Sequence, residues 1–468
     1  MKKFISIVSA MLLVFGFAAS AFAIQAEIPS ETQAAVAKGT TQITLGGAIR
    51  VRGEMQQNTS DFNDDTQDRK SYYDQRVRLR LQADVTKNTM GVIHLESGDN
   101  PAKSDVTWGN ATGEDKGSYA YKGNGNLKQN GLYILEAWIQ HKGSGLFGTP
   151  AGFKIGHMPV KLGYGLFFDH SKFGDDSINL FIDPTKEFHI ELFHSKLREN
   201  LNTKTTTPFG TNGDGNMYSL VLAYAPTKDT KISFDTTYID NQNANVLNLG
   251  AAALLQDSHL WNFGLRGETT VNGLGIKADI ELQSGKTTDN GTFAAPTADI
   301  KYRGYAYLVG LSYKLDPVKL SLDYAYGSGD DNATDNKNKT FQTILSSVQN
   351  YTYAYDYRAR TAMGTSGTGL ANTWYVKLGG NADITKDLNA DLNIYYLRAA
   401  KKYSTTYDSK KIGTEVDAKL TYKIDKNLVY WVEGGYLFAG NFYKNLTTSA
   451  TKNVDDAYAV RHGIELSF

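Results

Sequence analysis

The sequence predicts an all-β fold: a transmembrane, antiparallel, up-and-down β-barrel of about 18 strands with a short N-terminal helix. Three observations predict it. Apolar and polar side chains alternate with a period of two over most of the 468 residues, short and long connections follow each other in turn, and the chain opens with an export signal. Such strands suit a bilayer, because one face of each strand is compatible with lipid and the other with water.

Residues 1–23 have the layout of a secretory signal peptide. Lys2 and Lys3 form the positive end, FISIVSAMLLVFGFAAS is the apolar run, and AFA at 21–23 is a small-x-small cleavage site. An uncleaved membrane anchor is the alternative, but the cleavage motif favours removal. After Ala23 no apolar run is long enough for a membrane-spanning helix, so we expect an exported chain that crosses the membrane with strands.

Residues 24–40 form the next predicted unit, a short periplasmic or lumenal segment, and residues 41–468 form the barrel. Ser30 and Gln33 have the spacing of a helix capping box, and Gly39 is a typical helix stop. This pattern predicts a helix of two turns before the first strand.

From the start of the predicted barrel to the end of the chain, apolar and polar residues alternate. In GLGIKADIELQ (273–283), one face carries Leu, Ile and Ala, and the other carries Lys, Asp, Glu and Gln. Strict alternation predicts strands rather than helices. The alternating segments run over about 9 to 14 residues, which is longer than the strands of most globular sheets and suits a tilted strand in a bilayer.

The stretch QRVRLRLQADV (75–85) places Arg76, Arg78 and Arg80 on one strand face and hydrocarbon side chains on the other. If these arginines faced lipid, each would cost about 2–4 kcal/mol near the midplane, so we expect them to face the lumen. Further lumenal arginines are predicted on the neighbouring first strand and on the closing strand. The predicted basic residues of the pore lining are Arg50, Arg52, Arg76, Arg78, Arg80 and Arg461.

Like charges about 7 Å apart on one strand face repel, so this basic sector requires anions or acidic partners. Two interpretations remain open. The arginines attract anionic solutes and bias the selectivity of a channel, or each arginine pairs with a wall carboxylate such as Glu54, Asp84 or Glu136.

The connections predict which end of the barrel faces the periplasm. Short turns alternate with long loops rich in Asn, Asp, Thr, Gly and Ser, and outer-membrane barrels have short periplasmic turns and long outer loops. Strict up-and-down order leaves one strand missing between the segments near 152–160 and 188–196. SINLFID at 177–183 fits there and brings the total to about 18, an even number.

Composition excludes several classes of function. The chain has 49 basic and 49 acidic residues, which argues against a nucleic-acid partner, and it has no cysteine, which excludes zinc–thiolate and iron–sulfur sites. We expect no cofactor and no metal. FDHS at 168–171 places Asp, His and Ser together, but neighbours in sequence rarely face one another as a catalytic triad must, so we expect no enzyme. The acidic stretch at 329–336 could bind calcium; a solvated loop is the better interpretation, because the stretch lacks the pattern of a calcium loop.

The chain ends YAVRHGIELSF, an amphipathic strand whose last residue is Phe468. This ending resembles the C-terminal signature of bacterial outer-membrane porins. The resemblance implies that Phe468 is read by the barrel-assembly machinery and that the protein lies in the outer membrane of a Gram-negative bacterium, among phospholipid and lipopolysaccharide. It also implies a homotrimer.

The stretches QRVRLRLQADVTKN, LEAWIQHK and FKIGHMPVKLGYGLFFD, within the first third of the chain, are similar to porins of the alginate-export type, for which a monomer is also known. In general porins the third outer loop folds into the lumen and carries acids opposite a basic wall. By resemblance, residues 161–175 take this place, with Asp169, Asp175 and Asp176 as the constriction acids. A rim loop is the alternative, with 97–130 as the next candidate.

These observations predict a water-filled channel for passive diffusion of small hydrophilic solutes, with a basic lumen that favours anions. One alternative is a dedicated channel for an anionic polysaccharide or another specific solute. The other is a structural or adhesive barrel plugged by its own loops. Sugar passage would require lumenal aromatic rings, and strand alternation offers Trp138, Tyr375, Tyr395 and Trp431.

Overall fold

Eighteen antiparallel strands form a closed barrel in the computed structural model. The structure describes residues 34–38, 41–98, 106–107, 131–145, 148–199, 214–242, 257–288, 299–332, 335–344, 351–402, 409–445 and 454–468. The barrel strands are β1 (Thr41–Gln57), β2 (Lys70–Thr86), β3 (Thr89–Ser97), β4 (Leu132–Gly143), β5 (Ala151–Met158), β6 (Asp175–Ile182), β7 (Phe188–Arg198), β8 (Gly215–Thr227), β9 (Thr230–Gln242), β10 (Asp257–Val271), β11 (Leu274–Thr288), β12 (Tyr305–Leu315), β13 (Val318–Gly327), β14 (Thr373–Thr385), β15 (Leu388–Ala399), β16 (Lys411–Asp425), β17 (Leu428–Ala439) and β18 (Ala457–Ser467).

Each strand pairs with the next one in the chain, and β18 pairs with β1 to close the barrel. The connections alternate between short turns and long loops, as predicted. The strand predicted from SINLFID is confirmed as β6, which pairs with β5 and β7 on either side. Within the part of the chain that the structure describes, no helix is long and apolar enough to cross a membrane.

The helix predicted within residues 24–40 is wrong where the structure describes this segment. Ala34–Lys38 is a short strand that pairs antiparallel with the start of β1, from Ala34 opposite Leu45 to Lys38 opposite Thr41. The physical reason is an open sheet edge. The pairing of β18 with β1 ends at Ala48, so the first residues of β1 would have no neighbour on that side. Residues 24–33 and the predicted signal peptide lie outside the described residues.

Four smaller elements accompany the barrel. Val106–Thr107 pairs with β2, Ile300–Tyr302 pairs with β11, and Lys337–Asn338 runs parallel to Ile300–Tyr302. A 3₁₀-helix covers Asn441–Asn445 before β18. All four lie at the end of the barrel that carries the long loops.

Alternation along each strand sorts the side chains as the sequence predicts. Apolar residues half-exposed on the outer surface include Leu79, Ile93, Leu282, Leu378 and Leu466. These residues meet lipid in a membrane barrel, whereas the polar residues between them point into the lumen. The lumen is not empty, because two connections fold into it.

The two inward connections are the short loop (159–174, between β5 and β6) and the long loop (351–372, which enters β14). Val160, Leu162, Leu166, Phe167 and Phe168 of the short loop are buried with Met158 in one apolar cluster. Ala354, Tyr355, Ala359 and Ala362 of the long loop belong to the same cluster. Apolar residues at these positions explain why the loops leave the solvent, since burial removes their hydrocarbon from water.

Candidate functional site

A cavity of about 2100 Å³ lies inside the barrel between the wall and the two inward loops. Among the described residues, fourteen basic and nine acidic side chains line it. The lining is therefore positive, although the chain as a whole is neutral. The basic residues of the lining are Arg50, Arg52, Arg76, Arg78, Arg80, Lys154, Lys161, Lys172, Lys228, Lys277, Lys319, Lys377, Lys419 and Arg461.

The six arginines predicted for the pore lining all line this cavity. We call Arg50, Arg52, Arg76, Arg78 and Arg80, on β1 and β2, the arginine ladder. Carboxylates of the adjoining strands pair with it: Arg52 Nη2 lies 2.9 Å from Asp74 Oδ2, Arg78 Nε lies 2.5 Å from Glu96 Oε2, and Arg76 Nη2 lies 3.5 Å from Glu465 Oε2.

The three carboxylates suggested from sequence make their hydrogen bonds to other residues, although Glu54 lies directly opposite Arg461. Glu54 accepts a hydrogen bond from Arg358, Glu136 accepts one from the Trp138 indole, and Asp84 accepts one from Gln82. Strand register explains the difference, because Arg52 lies directly opposite Asp74 and Arg78 directly opposite Glu96. The ladder is therefore paired with carboxylates, as one of the two interpretations expects, and its arginines line the cavity; the attraction of anionic solutes stays a prediction.

Beside the ladder, Arg461 on β18 lies directly opposite Glu433 on β17 and donates a hydrogen bond to it. Lys419 on β16 also contacts Glu433, with Nζ 3.0 Å from Oε2. One carboxylate thus serves two cations here. Arg80 reaches no carboxylate within ion-pair distance in the described structure; its Nη1 donates to Gln82 Oε1 at 3.1 Å.

The short loop is fixed to the wall at β10 and β11. The backbone N–H of Tyr164 donates to Asp279 Oδ2 at 3.1 Å, and its hydroxyl donates to Glu268 Oε2 at 3.0 Å. Burial, reinforced by the hydrogen bond to Glu268, raises the pKa of the Tyr164 phenol. This tyrosine therefore stays a neutral hydrogen-bond donor over the physiological range.

Beneath the short loop lies a group that we call the Arg266 hub: Arg266 on β10 with Asp235, Asp279 and Glu281. Arg266 Nη1 is in contact with Asp235, Nε lies 3.2 Å from Asp279 Oδ1, and Nη2 lies 2.6 Å from Glu281 Oε1. All four side chains are 5% exposed or less. The hub holds one cation among three carboxylates, and the loop excludes water from it.

The loop can approach the hub this closely because residue 163 is glycine. Gly163 has a φ of +54°, and a Cβ atom there would lie 1.6 Å from Arg266 Nε. Any side chain at this position would push the loop off the wall.

The three acids predicted for the constriction lie in different surroundings. Asp169 lines the cavity, and its Oδ2 lies 2.7 Å from Lys161 Nζ. Asp175 and Asp176 need correction, because both belong to β6 rather than to a loop. Strand alternation buries Asp175 on the inner side and turns Asp176 to the outer face, where its side chain is 76% exposed.

The Asp-His-Ser sequence does not form a triad. The fully buried His170 contacts Asp175 through Nδ1, at 2.9 Å, and its Nε2 lies 3.3 Å from the carbonyl oxygen of Ile344. Ser171 donates instead to Asp169. His170 thus connects the short loop to the chain segment before the long loop.

The long loop is fixed to another part of the wall by two carboxylates of β16. Glu415 accepts the backbone N–H groups of Ala354, at 2.5 Å, and Tyr355, at 2.9 Å. Asp417 accepts the N–H of Tyr353 at 3.0 Å. Three consecutive backbone donors are satisfied by the wall, so the loop has one defined position.

This loop carries functional residues that the sequence analysis missed. Arg358 lies between the rings of Tyr353 and Tyr357, with its guanidinium carbon 4.1 Å from each ring centroid, and its Nε donates to Glu54 at 2.9 Å. Arg461 lies 5.2 Å from the Tyr353 ring. The stretch YTYAYDYRAR (351–360) carries a signal that could have found them, because it is rich in tyrosine and arginine, unlike the other long connections.

Lys172 of the short loop completes this group, with Nζ 5.8 Å from the Tyr357 ring. We call Tyr353, Tyr357, Arg358, Arg461 and Lys172 the cation–tyrosine cluster. Burial opposes ionisation of Tyr357, but the surrounding positive charges outweigh it and lower the pKa of the phenol below its ordinary value of 10.0. The shift indicates a local positive potential where the two loops meet.

Three of the four aromatic residues that alternation placed in the lumen line the cavity: Trp138, Tyr395 and Trp431. Tyr375 is buried behind the long loop, with its ring centroid 4.8 Å from that of Tyr351. Phe468 at the barrel closure exchanges backbone hydrogen bonds with Gly47, at 2.7 and 2.9 Å, and its ring is 41% exposed. Its role in barrel assembly stays a prediction.

A known protein family and several solved structures are similar to this chain. The family profile described as "Alginate export" matches residues 41–455, which is nearly the whole barrel. The search of curated proteins found no match.

Solved structures of outer-membrane channels have the same fold. OccK11 (OpdR) of Pseudomonas aeruginosa is 12% identical with a TM-score of 0.51, covering 91% of this chain and 96% of that one. OccAB2 of Acinetobacter baumannii is 11% identical with a TM-score of 0.51, covering 91% and 98%. Pseudomonas aeruginosa OpdK, solved with vanillate, is 11% identical with a TM-score of 0.53, covering 91% and 98%.

Proposed function

The chain belongs to the alginate export family of Gram-negative outer-membrane barrels, and we propose that it is a passive diffusion channel that favours anionic solutes. The excess of basic over acidic side chains in the cavity lining carries this proposal. A narrow, water-filled passage with positive walls lowers the energy of an anion and raises that of a cation.

The cation–tyrosine cluster supports the same direction of selectivity. It gathers two arginines and a lysine at the point where the two loops narrow the lumen, while Glu54 and Glu433 are the neighbouring carboxylates. Three cations face two carboxylates here, so an anion that crosses this point meets a net positive charge. No chemical step is required, so the proposed function is transport without catalysis.

Ion selectivity of the purified protein in a planar bilayer tests the proposal. With a tenfold KCl gradient, we expect a reversal potential of the sign that corresponds to chloride permeating faster than potassium. Vanillate, the small carboxylate named with the OpdK structure, and gluconate serve as organic anions, with glucose as the neutral control. A reversal potential of the cation-selective sign would contradict the proposal, and the absence of any conductance would favour the plugged-barrel alternative.

A dedicated channel for an anionic polysaccharide is the second candidate. The family description favours it, and so do the three aromatic rings that line a cavity rich in arginine and lysine, because sugar rings stack on aromatic side chains while carboxylates pair with cations. Oligouronates and neutral oligosaccharides of equal length distinguish the two candidates. A dedicated polysaccharide channel is blocked by oligouronate at concentrations at which single sugars have no effect, whereas a general channel shows only weak block.

A further inference from the structure

The outer surface of β10–β12 carries an exposed basic patch that the channel function does not use. On β11, alternation places Ile276, Ile280 and Leu282 on the outer face, where they are 38%, 43% and 54% exposed. The same face continues towards the long loops with Ser284 and Lys286, both exposed. The change from hydrocarbon to charge marks the place where the strand leaves the lipid core.

Register brings three lysines into one row across this surface. Lys286 lies directly opposite Lys301 in the strand Ile300–Tyr302, and Lys301 lies directly opposite Lys337 in the strand Lys337–Asn338. Like charges at directly opposed positions destabilise a sheet, so this arrangement costs free energy unless negative charge lies close to it. Neither pairing can be foreseen from sequence spacing.

A fourth cation extends the row towards the membrane. Arg303 is exposed, and its Nη1 donates to Ser284 Oγ at 3.1 Å and to the carbonyl of Tyr302 at 2.6 Å. These contacts fix the guanidinium on the outer surface, two residues along the chain from Lys301 and on the same face. The basic patch is therefore Lys286, Lys301, Arg303 and Lys337.

The acidic residues near the patch do not balance it. Asp299 pairs with Lys286, with Oδ2 2.7 Å from Nζ. Asp335 accepts the backbone N–H of Lys337 at 3.2 Å, and its Oδ2 lies 2.6 Å from Nζ of Lys339, so the patch shares this carboxylate with a fifth cation. Two carboxylates thus face five cations, and the patch has a net positive charge in the described structure.

Aromatic rings lie immediately below the patch on the same outer face. The ring centroids of Tyr238 and Trp261 are 4.8 Å apart, and those of Tyr305 and Tyr326 are 5.7 Å apart. Tyrosine and tryptophan concentrate at the membrane–water interface, so this belt places the basic patch at the level of the lipid headgroups.

We propose that the basic patch binds the phosphate groups of lipopolysaccharide in the outer leaflet. The patch lies at the end of the barrel that carries the long loops, which faces outward, and the lipid of that leaflet combines phosphorylated sugars with acyl chains. Phosphate oxygens accept hydrogen bonds from Arg303 and the lysines, while the aromatic belt and the apolar strand face below contact the sugar and acyl chains. This inference is independent of which solute passes through the lumen.

Binding of lipid A to the folded, delipidated barrel in detergent tests the proposal. The test variant is K301Q/R303Q/K337Q, and the matched control is K87Q/K186Q/K386Q, which removes three exposed lysines from the opposite, short-turn end. We expect the test variant to bind diphosphorylated lipid A at least about tenfold more weakly than the native protein, and the control variant to bind it equally well. Heat-dependent migration on a gel verifies that each variant is folded.

Dephosphorylated lipid A and phosphatidylglycerol, each added to the native protein, keep the proposal testable even if the triple variant does not fold. We expect both to bind at least about tenfold more weakly than diphosphorylated lipid A. Equal binding of dephosphorylated lipid A would overturn the proposal, because the acyl chains alone would then explain affinity. Equal binding of phosphatidylglycerol, or an unchanged affinity in a folded K301Q/R303Q/K337Q variant, would overturn it as well.

Discussion

The arginine ladder and the Arg266 hub are built from the same kinds of residues but differ in the ratio of charges. In the hub, one arginine faces three carboxylates, all buried beneath the short loop. In the ladder, Glu96 lies within 4.0 Å of both Arg76 and Arg78, and the arginines line the cavity. The comparison teaches that a lumenal arginine is not in itself a solute site. Its role depends on whether it is exposed to water and on how many carboxylates lie around it.

Removal of the hub cation should have the largest effect. Replacing Arg266 with Met leaves three buried carboxylates without their cation, and breaking such a buried network costs about 3–5 kcal/mol. We expect a loss of barrel stability of this size, measured by urea unfolding in detergent or liposomes. R80Q, which changes an arginine that contacts the cavity, is the control and should stay within about 0.5 kcal/mol of the native protein. Similar losses in both variants would remove the distinction between hub and ladder.

Removal of the ladder cations should change selectivity rather than stability. R76Q/R78Q/R80Q takes three positive charges from the cavity wall and leaves Glu96 and Glu465 without these partners. A unit charge about 7 Å from a permeating ion contributes roughly 0.6–2 kcal/mol, so we expect the ratio of chloride to potassium permeability to fall several-fold. E96Q is the opposite control and should raise this ratio. An unchanged reversal potential in the triple variant would mean that ions do not pass the ladder.

Removal of the anchor of the long loop should change the conductance rather than the selectivity. E415A leaves the buried N–H groups of Ala354 and Tyr355 without their acceptor, at a cost of about 1–3 kcal/mol for each donor. We expect the loop to leave the wall, which would raise single-channel conductance and current noise. D391A removes a cavity-lining carboxylate that accepts hydrogen bonds from Asn381 and Asn393 of the barrel wall, and it should leave the noise unchanged. If E415A has the conductance and the current noise of the native protein, other contacts hold the loop.

The smallest predicted effect is a pH dependence at the cation–tyrosine cluster. Because neighbouring cations lower the pKa of Tyr357 from 10.0, the phenol becomes negative at a lower pH than an ordinary tyrosine. Anion selectivity should therefore decline as the pH rises towards about 10, and this part of the decline should be lost in Y357F. Reversal potentials measured at several pH values check this. Identical titrations of the native protein and Y357F would exclude an effect of this group on permeation.

Much of the barrel could be predicted from sequence because the membrane imposes a local rule. Every strand must present hydrocarbon to lipid, so the period of two in GLGIKADIELQ and QRVRLRLQADV is visible without any tertiary information. The same rule and the lengths of the connections also predicted the number of strands, including β6. Ala34–Lys38 is an exception. Its local sequence predicts a helix, but it forms a strand because the start of β1 would otherwise have an unpaired edge.

The site could be predicted only in part. Arg50, Arg52 and the other predicted basic residues do line the cavity, because strand alternation alone determines the side on which they lie. The carboxylates that bond the arginines are Asp74, Glu96 and Glu433, and sequence could not name them because strand register aligns these cross-strand neighbours. Of the carboxylates suggested from sequence, Glu54 does lie directly opposite Arg461, but it bonds Arg358. Arg358 was missed because it comes from a loop, where no periodicity indicates direction.

The sequence by itself determined the lipid-facing and water-facing sides of each strand, the closed barrel and the excess of arginine on its first strands. These properties follow from the repeat along a single strand, and neighbours in the chain suffice to define it. Only the tertiary structure decided which carboxylate meets which arginine, that two loops occupy the lumen, and that Lys286, Lys301 and Lys337 share one row. The physical reason is that charges separated by many residues interact only when strand register and loop burial bring them within a few ångströms.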